Sequence, residues 1–121
     1  MAEDEVREMI SEAMVKLSVG EQLFITAEEG NGPVNALDHA LRQALVHVYP
    51  EVEAFELIDF KVRILDAMHG TDAVTRVLIE TSDGKTSWST VGVGPNLLEA
   101  SWEALTDSTI WGLHHLGIAP R

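Results

Sequence analysis

The chain has 121 residues, 45% of them hydrophobic, which is the size of one ordinary domain with a single core and about half of what a catalytic (β/α)8 barrel needs. Eight Lys and Arg stand against twenty Asp and Glu, a formal net charge of −12, so neither nucleic acid nor an anionic membrane is an expected partner. There is no cysteine, no apolar run near the roughly 18 residues that cross a bilayer, and an acidic opening, Met1-Ala2-Glu3-Asp4-Glu5, unlike a secretory signal; the expected location is cytoplasmic.

Val6, Met9 and Ile10 suit a helix turn or the worn end of a strand, so residues 1–12 read as a frayed lead-in strand and 13–121 as a single domain. From Ala13 to Val19, Val15, Leu17 and Val19 alternate with Met14, Lys16 and Ser18; Gly20-Glu21 is a two-residue turn signal, and Gln22 to Glu28 completes a hairpin. Val34, Leu37, Leu41, Ala44, Leu45 and Val48 then recur at helical steps, a stripe that leaves Asp38, Arg42 and Gln43 outside it and stops at Tyr49-Pro50. Further on, Ile58, Phe60, Val62 and Ile64 alternate with Asp59, Lys61 and Arg63, which predicts a strand with one buried face. His69-Gly70-Thr71-Asp72 reads as a loop, Ala73 to Thr81 as a strand with Val77 and Ile79 inward, Ser82-Asp83-Gly84 as a hairpin turn and Lys85 to Val93 as a third strand. The last helix starts near Asn96, carries Leu98, Trp102 and Leu105 on one stripe with Leu97 and Ser101 beside it, and stops at Gly117 with Pro120 beyond.

Gly30-Asn31-Gly32-Pro33 and Gly92-Val93-Gly94-Pro95 stand 62 residues apart, each after an alternating segment and before one of helical period. They predict a duplication, repeat 1 at about 6–50 and repeat 2 at about 55–116, with the first copy's opening strand at Val6 to Ile10. The expected fold is α/β of the α+β kind: two βββα units related by a pseudo-twofold, with antiparallel strand pairs packed on two helices. Short sheets of this kind leave edges that one chain covers poorly, so dimerisation is expected. Glycine supplies dihedrals closed to other residues, and Pro33 and Pro95 suit a first helical turn. The loops are either tight connections only, or their free N–H groups hold a carboxylate. Glu28 and Glu29 beside the first loop are either a solvated strand end or a receiver for an ammonium group.

Catalytic chemistry finds no foothold. The histidines (His39, His47, His69, His114, His115) have no metal-ligand spacing with acidic partners, and the serines lack a nearby base or nucleophile-elbow context. The glycine strings lack the Lys of a P-loop and the third Gly of a dinucleotide fingerprint. Asp59 or Glu28 as a general base is disfavoured, since Asp59 shares its strand face with Lys61 and Arg63. No catalytic residue, metal or cofactor is expected; the residues read as a binding or regulatory module.

Gly30-Asn31-Gly32-Pro33-Val34-Asn35-Ala36-Leu37, Leu57-Ile58-Asp59-Phe60-Lys61-Val62-Arg63, Gly70-Thr71-Asp72-Ala73, and Gly92-Val93-Gly94 running into Glu99-Ala100-Ser101 occur in that order. Together they resemble the C-terminal regulatory domain of the 2-isopropylmalate synthase and citramalate synthase family, over roughly residues 12 to 116. Tyr49-Pro50, the Asp83-Gly84 turn and the Trp88 to Val93 strand are more similar to the citramalate branch. The resemblance implies a homodimer that binds isoleucine or leucine as an end product and inhibits an acetyl-CoA-condensing barrel, in cis or in trans, that carries the family's metal. By the same motifs the ligand site would comprise Gly30, Asn31, Gly32, Pro33, Val34, Phe60, Ile64, Ala73, Val93 and Leu97. Core packing is an equal reading for Phe60 and Ile64. Two departures bear on the ligand: Phe60 where the family often has Tyr, and Gly94-Pro95, a weaker cap, where it often has Ser. A ligand-free dimerisation module is the alternative.

Overall fold

The alternation that begins at Ser11 builds a hairpin of two strands in the computed structural model, β1 (Ser11–Val19) and β2 (Gln22–Gly30), closed at Gly20-Glu21 where Gly20 takes φ 61°. The structure describes residues 10–65 and 74–121. Helix α1 (Pro33–Leu45) follows, then a 3-10 turn (Pro50–Ala54), strands β3 (Glu56–Leu65), β4 (Val74–Ser82) and β5 (Ser87–Gly94), and helix α2 (Leu97–His115). β1 and β2 form one antiparallel sheet, and β3, β4 and β5, in that order, form a second. α1 packs on the first and α2 on the second, the expected α+β arrangement. The opening strand expected at Val6 to Ile10 lies, apart from Ile10, outside the described residues, as does the His69–Asp72 loop.

The two halves repeat at an offset of 64 residues, not the 62 of the glycine strings. Thr26 Oγ1 donates to the Ala40 carbonyl at 2.6 Å, and Thr90 Oγ1 to the Ala104 carbonyl at 2.7 Å. Gly30 lies against the backbone of Ala36 as Gly94 lies against that of Ala100. Ser11 pairs with Gly30 as Thr75 pairs with Gly94. The equivalent caps are therefore Gly32 and Asn96, and the equivalent first helical residues are Pro33 and Leu97. Pro95 precedes its helix instead of opening it.

The loop glycines serve close approach, not special dihedrals. Gly20, Gly84 and Gly117 have positive φ, and Gly30, Gly32, Gly92 and Gly94 do not. A Cβ at Gly92 would lie 1.9 Å from the Ala100 carbonyl oxygen and 2.7 Å from the Ala104 nitrogen, so α2 sits on β5 nearly backbone to backbone. This closeness selects small residues for the buried side of α2: Ala100, Ser101, Ala104, Ser108 and Gly112, with Leu105. Leu98, expected on the inward stripe, is exposed, and Trp102 is half-buried against the core.

Val15, Leu37, Leu41, Val77, Ile79 and Leu105 fill the main core between the inner sheet faces and the helices. A second cluster holds Val52, Phe55 and Trp88, whose indole N–H donates to the Ser108 carbonyl and hydroxyl, each at 3.0 Å. α1 ends at Leu45 and not at Val48, because the N–H groups of Val48 and Tyr49 both turn back to the Leu45 carbonyl. Asp38, expected outside the stripe, is buried; Arg42 one turn later pairs with it through two hydrogen bonds, which satisfies the charge.

At the β4–β5 turn Asp83 Oδ1 accepts the N–H groups of Thr86 at 2.8 Å and Lys85 at 2.9 Å. These bonds hold the carboxyl below its ordinary value of 3.8, that from Thr86 contributing most. A depressed carboxyl stabilises the turn above 3.8 and loses that contribution as the pH falls through the lower folded value. The protection of the Lys85 and Thr86 amides, taken relative to their intrinsic exchange at each pH, should therefore fall on acidification, and Asp83→Ala should show the reduced protection already at neutral pH.

Candidate functional site

β3 continues the core rows of β4 and then leaves them uncovered. Phe60 lies opposite Ile79, Val62 opposite Val77 and Ile64 opposite Thr75, so each shares the inward face of a buried partner. Yet Phe60, Val62 and Ile64 are 37%, 43% and 66% exposed. α2 lies over β5 and β4, which leaves the third strand of the sheet outside its reach. The buried face expected for β3 is thus apolar but not covered by the described residues of its own chain. A register shift between Leu57 and Asp59 takes Ile58 out of the alternation, and Leu57, opposite Thr81, is the inward residue there.

Ile64, Thr75 and Gly94 form one row across the sheet, so the uncovered face runs toward the loop before α2. Leu97 opens that helix half-buried against the main core. Asn96 caps it by accepting the Glu99 N–H at 2.9 Å, so the weak cap expected at Gly94-Pro95 is not where the helix begins. Val93 lies opposite Arg76, and Arg76 opposite Arg63, on the outer, charged face away from Phe60 and Ile64.

At the other loop, Gly30 and Asn31 line a shallow recess of about 410 Å³ with Ile10, Glu29, Asn35 and His39. His39 Nδ1 lies 2.8 Å from the Glu29 carbonyl oxygen. Gly32 caps α1 with no side-chain bond, Pro33 is exposed at the first turn, and Val34, 2% exposed, belongs to the core. Ala73 lies outside the described residues. Of the site residues expected from the sequence, Gly30 and Asn31 therefore line a recess beside the start of α1, Gly32 and Pro33 are the cap and first residue of that helix, and Phe60 and Ile64 lie on an apolar strip of β3, with Val34, Leu97 and Val93 at the places given above.

Two clefts went unread in the sequence. One, polar and about 610 Å³, includes Glu28, Asp38, Arg42, Glu53 and Glu56; the other, apolar and about 320 Å³, lies between the helices. The signal for the second is present in Thr109, Ile110 and Leu113, an apolar side of α2 additional to the one that faces the sheet. Among the described residues no group of three or more His, Asp or Glu could hold a metal ion, and no described helix is long and apolar enough to cross a membrane.

Residues 3–110 match the family described as the LeuA allosteric (dimerisation) domain. The (R)-citramalate synthase of Streptomyces coelicolor is 56% identical over 111 residues, 91% of this chain and 21% of that protein. The (R)-citramalate synthase of Aquifex aeolicus is 54% identical over 103 residues, 85% of this chain and 20% of that protein. The 2-isopropylmalate synthase of Pseudoalteromonas atlantica is 34% identical over 100 residues, 82% of this chain and 18% of that protein. The chain thus spans about a fifth of the length of these curated relatives, and the citramalate synthases are the more similar, as Tyr49-Pro50 and the Asp83-Gly84 turn suggest. With the match running from ahead of β1 well into α2, the chain belongs to the LeuA allosteric (dimerisation) domain family.

Proposed function

We propose that this chain is the homodimeric, amino-acid-sensing regulatory part of a citramalate-type synthase, and that isoleucine, or less tightly leucine, binds it to inhibit a catalytic barrel carried in cis or in trans. The observation that carries the reading is the strip Phe60, Val62 and Ile64, aligned with the core but uncovered. A second copy laid on it by a twofold would bury the same strip from both sides. A branched side chain caught at that seam changes how well the copies fit, which is what a regulatory domain must transmit. The N–H groups at the start of α1, where no side chain caps the helix, suit the ligand carboxylate.

Calorimetric titration of the 121-residue chain with isoleucine, leucine and valine tests this reading. Isoleucine should bind about fivefold tighter than leucine, since apolar pockets separate isomers by about 1 kcal/mol. Gly32→Asp locates the carboxylate end. Its Cβ enters open space at the cap, so the variant should gain a few tenths of a kcal/mol of stability while its own carboxylate repels the ligand's. The scatter of the expected site residues over separate surfaces favours the second reading, a dimerisation module without a ligand. Absence of both heat and a rise in melting temperature with all three amino acids would decide for that module.

A further inference from the structure

α1 and α2 meet through Leu37, Leu41, Trp102 and Leu105, and elsewhere leave the apolar cleft of about 320 Å³ between them. Leu17, Leu45, Ile110 and Leu113 line it, and so do Ile118 and Pro120 from the segment that follows α2. That segment turns back through Gly117 at φ 74°, and the Ile118 N–H donates to the Leu113 carbonyl at 3.0 Å. It then crosses to the other half of the chain. The Arg121 backbone N–H donates to the Tyr49 hydroxyl at 2.7 Å, and its guanidinium donates to the Val48 carbonyl at 3.0 Å. The same guanidinium reaches both Glu51 carboxylate oxygens, at 2.8 and 3.1 Å, and lies 5.4 Å from the Tyr49 ring centroid. Val48 and Tyr49 belong to the segment that follows α1, and Glu51 to the 3-10 turn after it.

We propose that Gly117–Arg121 is a strap, latched by Arg121 onto Tyr49 and Glu51, that closes the mouth of the inter-helix cleft and sets the spacing of the two halves. An irregular exposed segment is ordinarily loose unless something ties it down, and here the tie to the other half is Arg121, through its backbone N–H and its guanidinium. The Arg121 and Glu51 side chains are 45% and 28% exposed, so solvent and salt weaken the pair. An ion pair so placed shifts an equilibrium only several-fold, which makes the strap ready to open instead of locked. Ile118 and Pro120 are the strap's own contribution to the wall of the cleft. The latch is independent of the β3 strip and of any amino-acid ligand.

Hydrogen exchange of the 121-residue chain and its Arg121→Ala and Glu51→Gln variants tests the strap, read together with uptake of the neutral apolar dye Nile red. In Arg121→Ala, exchange over 117–121 and around 48–52 should rise about three- to tenfold, with greater dye fluorescence and an unchanged far-UV circular dichroism spectrum. Glu51→Gln should move both readouts the same way by less, and raising the salt concentration should do so in the parent chain. Unchanged exchange in both variants overturns the proposal. Faster exchange without added dye uptake also overturns it, because the segment then frays without having closed the cleft.

Discussion

Gly92→Ala should lower the melting temperature by about 10 °C or more, the largest effect expected of any single methyl group in this chain. The new Cβ would meet the Ala100 carbonyl oxygen at 1.9 Å and the Ala104 nitrogen at 2.7 Å, both backbone atoms with no rotamer to change. Relief requires α2 to lift from β5, which strains the Thr90 bond to the Ala104 carbonyl and unseats Ala100 and Ala104 from the core. Overpacking ordinarily costs about 1–3 kcal/mol. Contact with unyielding backbone puts this site at or above the top of that range, and each kcal/mol is worth about 4 °C in a domain of this size. Gly32→Ala, whose Cβ meets nothing within 4 Å, is the control and should shift the midpoint by only a degree or two. Calorimetry at one fixed protein concentration makes the comparison, since a dimer's midpoint depends on concentration. A Gly92→Ala midpoint within about 2 °C of the parent would mean that the strand and helix are not held as closely as the geometry requires.

Val62→Asp should separate assembly from folding. In the isolated chain Val62 is 43% exposed beside Phe60 and Ile64, so an Asp there is solvated and the fold should keep its circular dichroism spectrum. In a dimer that covers the strip, the twofold buries two such carboxylates, each stripped of water and without a cation in the row formed with Val77 and Gly92. The dimer dissociation constant should rise at least a hundredfold, read by sedimentation or light scattering across a dilution series. A dimer that survives Val62→Asp unchanged places the interface elsewhere and removes the basis for a ligand at this seam.

Strand alternation and helical period made most of the fold legible, because each element has one face in a core and its residues report that face. The two strands of each hairpin and the Gly20-Glu21 and Asp83-Gly84 turns follow from this alone. Alternation names an apolar face without naming what covers it. Phe60, Val62 and Ile64 therefore read as buried, although α2 does not extend to β3. The repeat was visible but misaligned. Gly-x-Gly-Pro is a short string that matches by composition, whereas the structural equivalence rests on Thr26 with Thr90 and Ala40 with Ala104, residues too ordinary to stand out. Asp38 lies outside the apolar stripe of α1 and is nevertheless buried, and the signal for that is Arg42 one turn on. The candidate site was least legible. Glycines read for dihedral freedom serve close packing, and the strip on β3 is apolar without being covered by the described residues of its own chain.

The threonine bonds join residues only 14 positions apart, and each hairpin closes on a neighbour in sequence before its helix folds back on it. Contacts of this kind can form within one half alone, so each half can start to fold around its own turn before the two dock. Docking the halves through Leu41 and Leu105 would come next, and encounter with a second chain last. At nanomolar protein concentration that bimolecular encounter, not the collapse of either half, should set how quickly the regulatory unit is assembled.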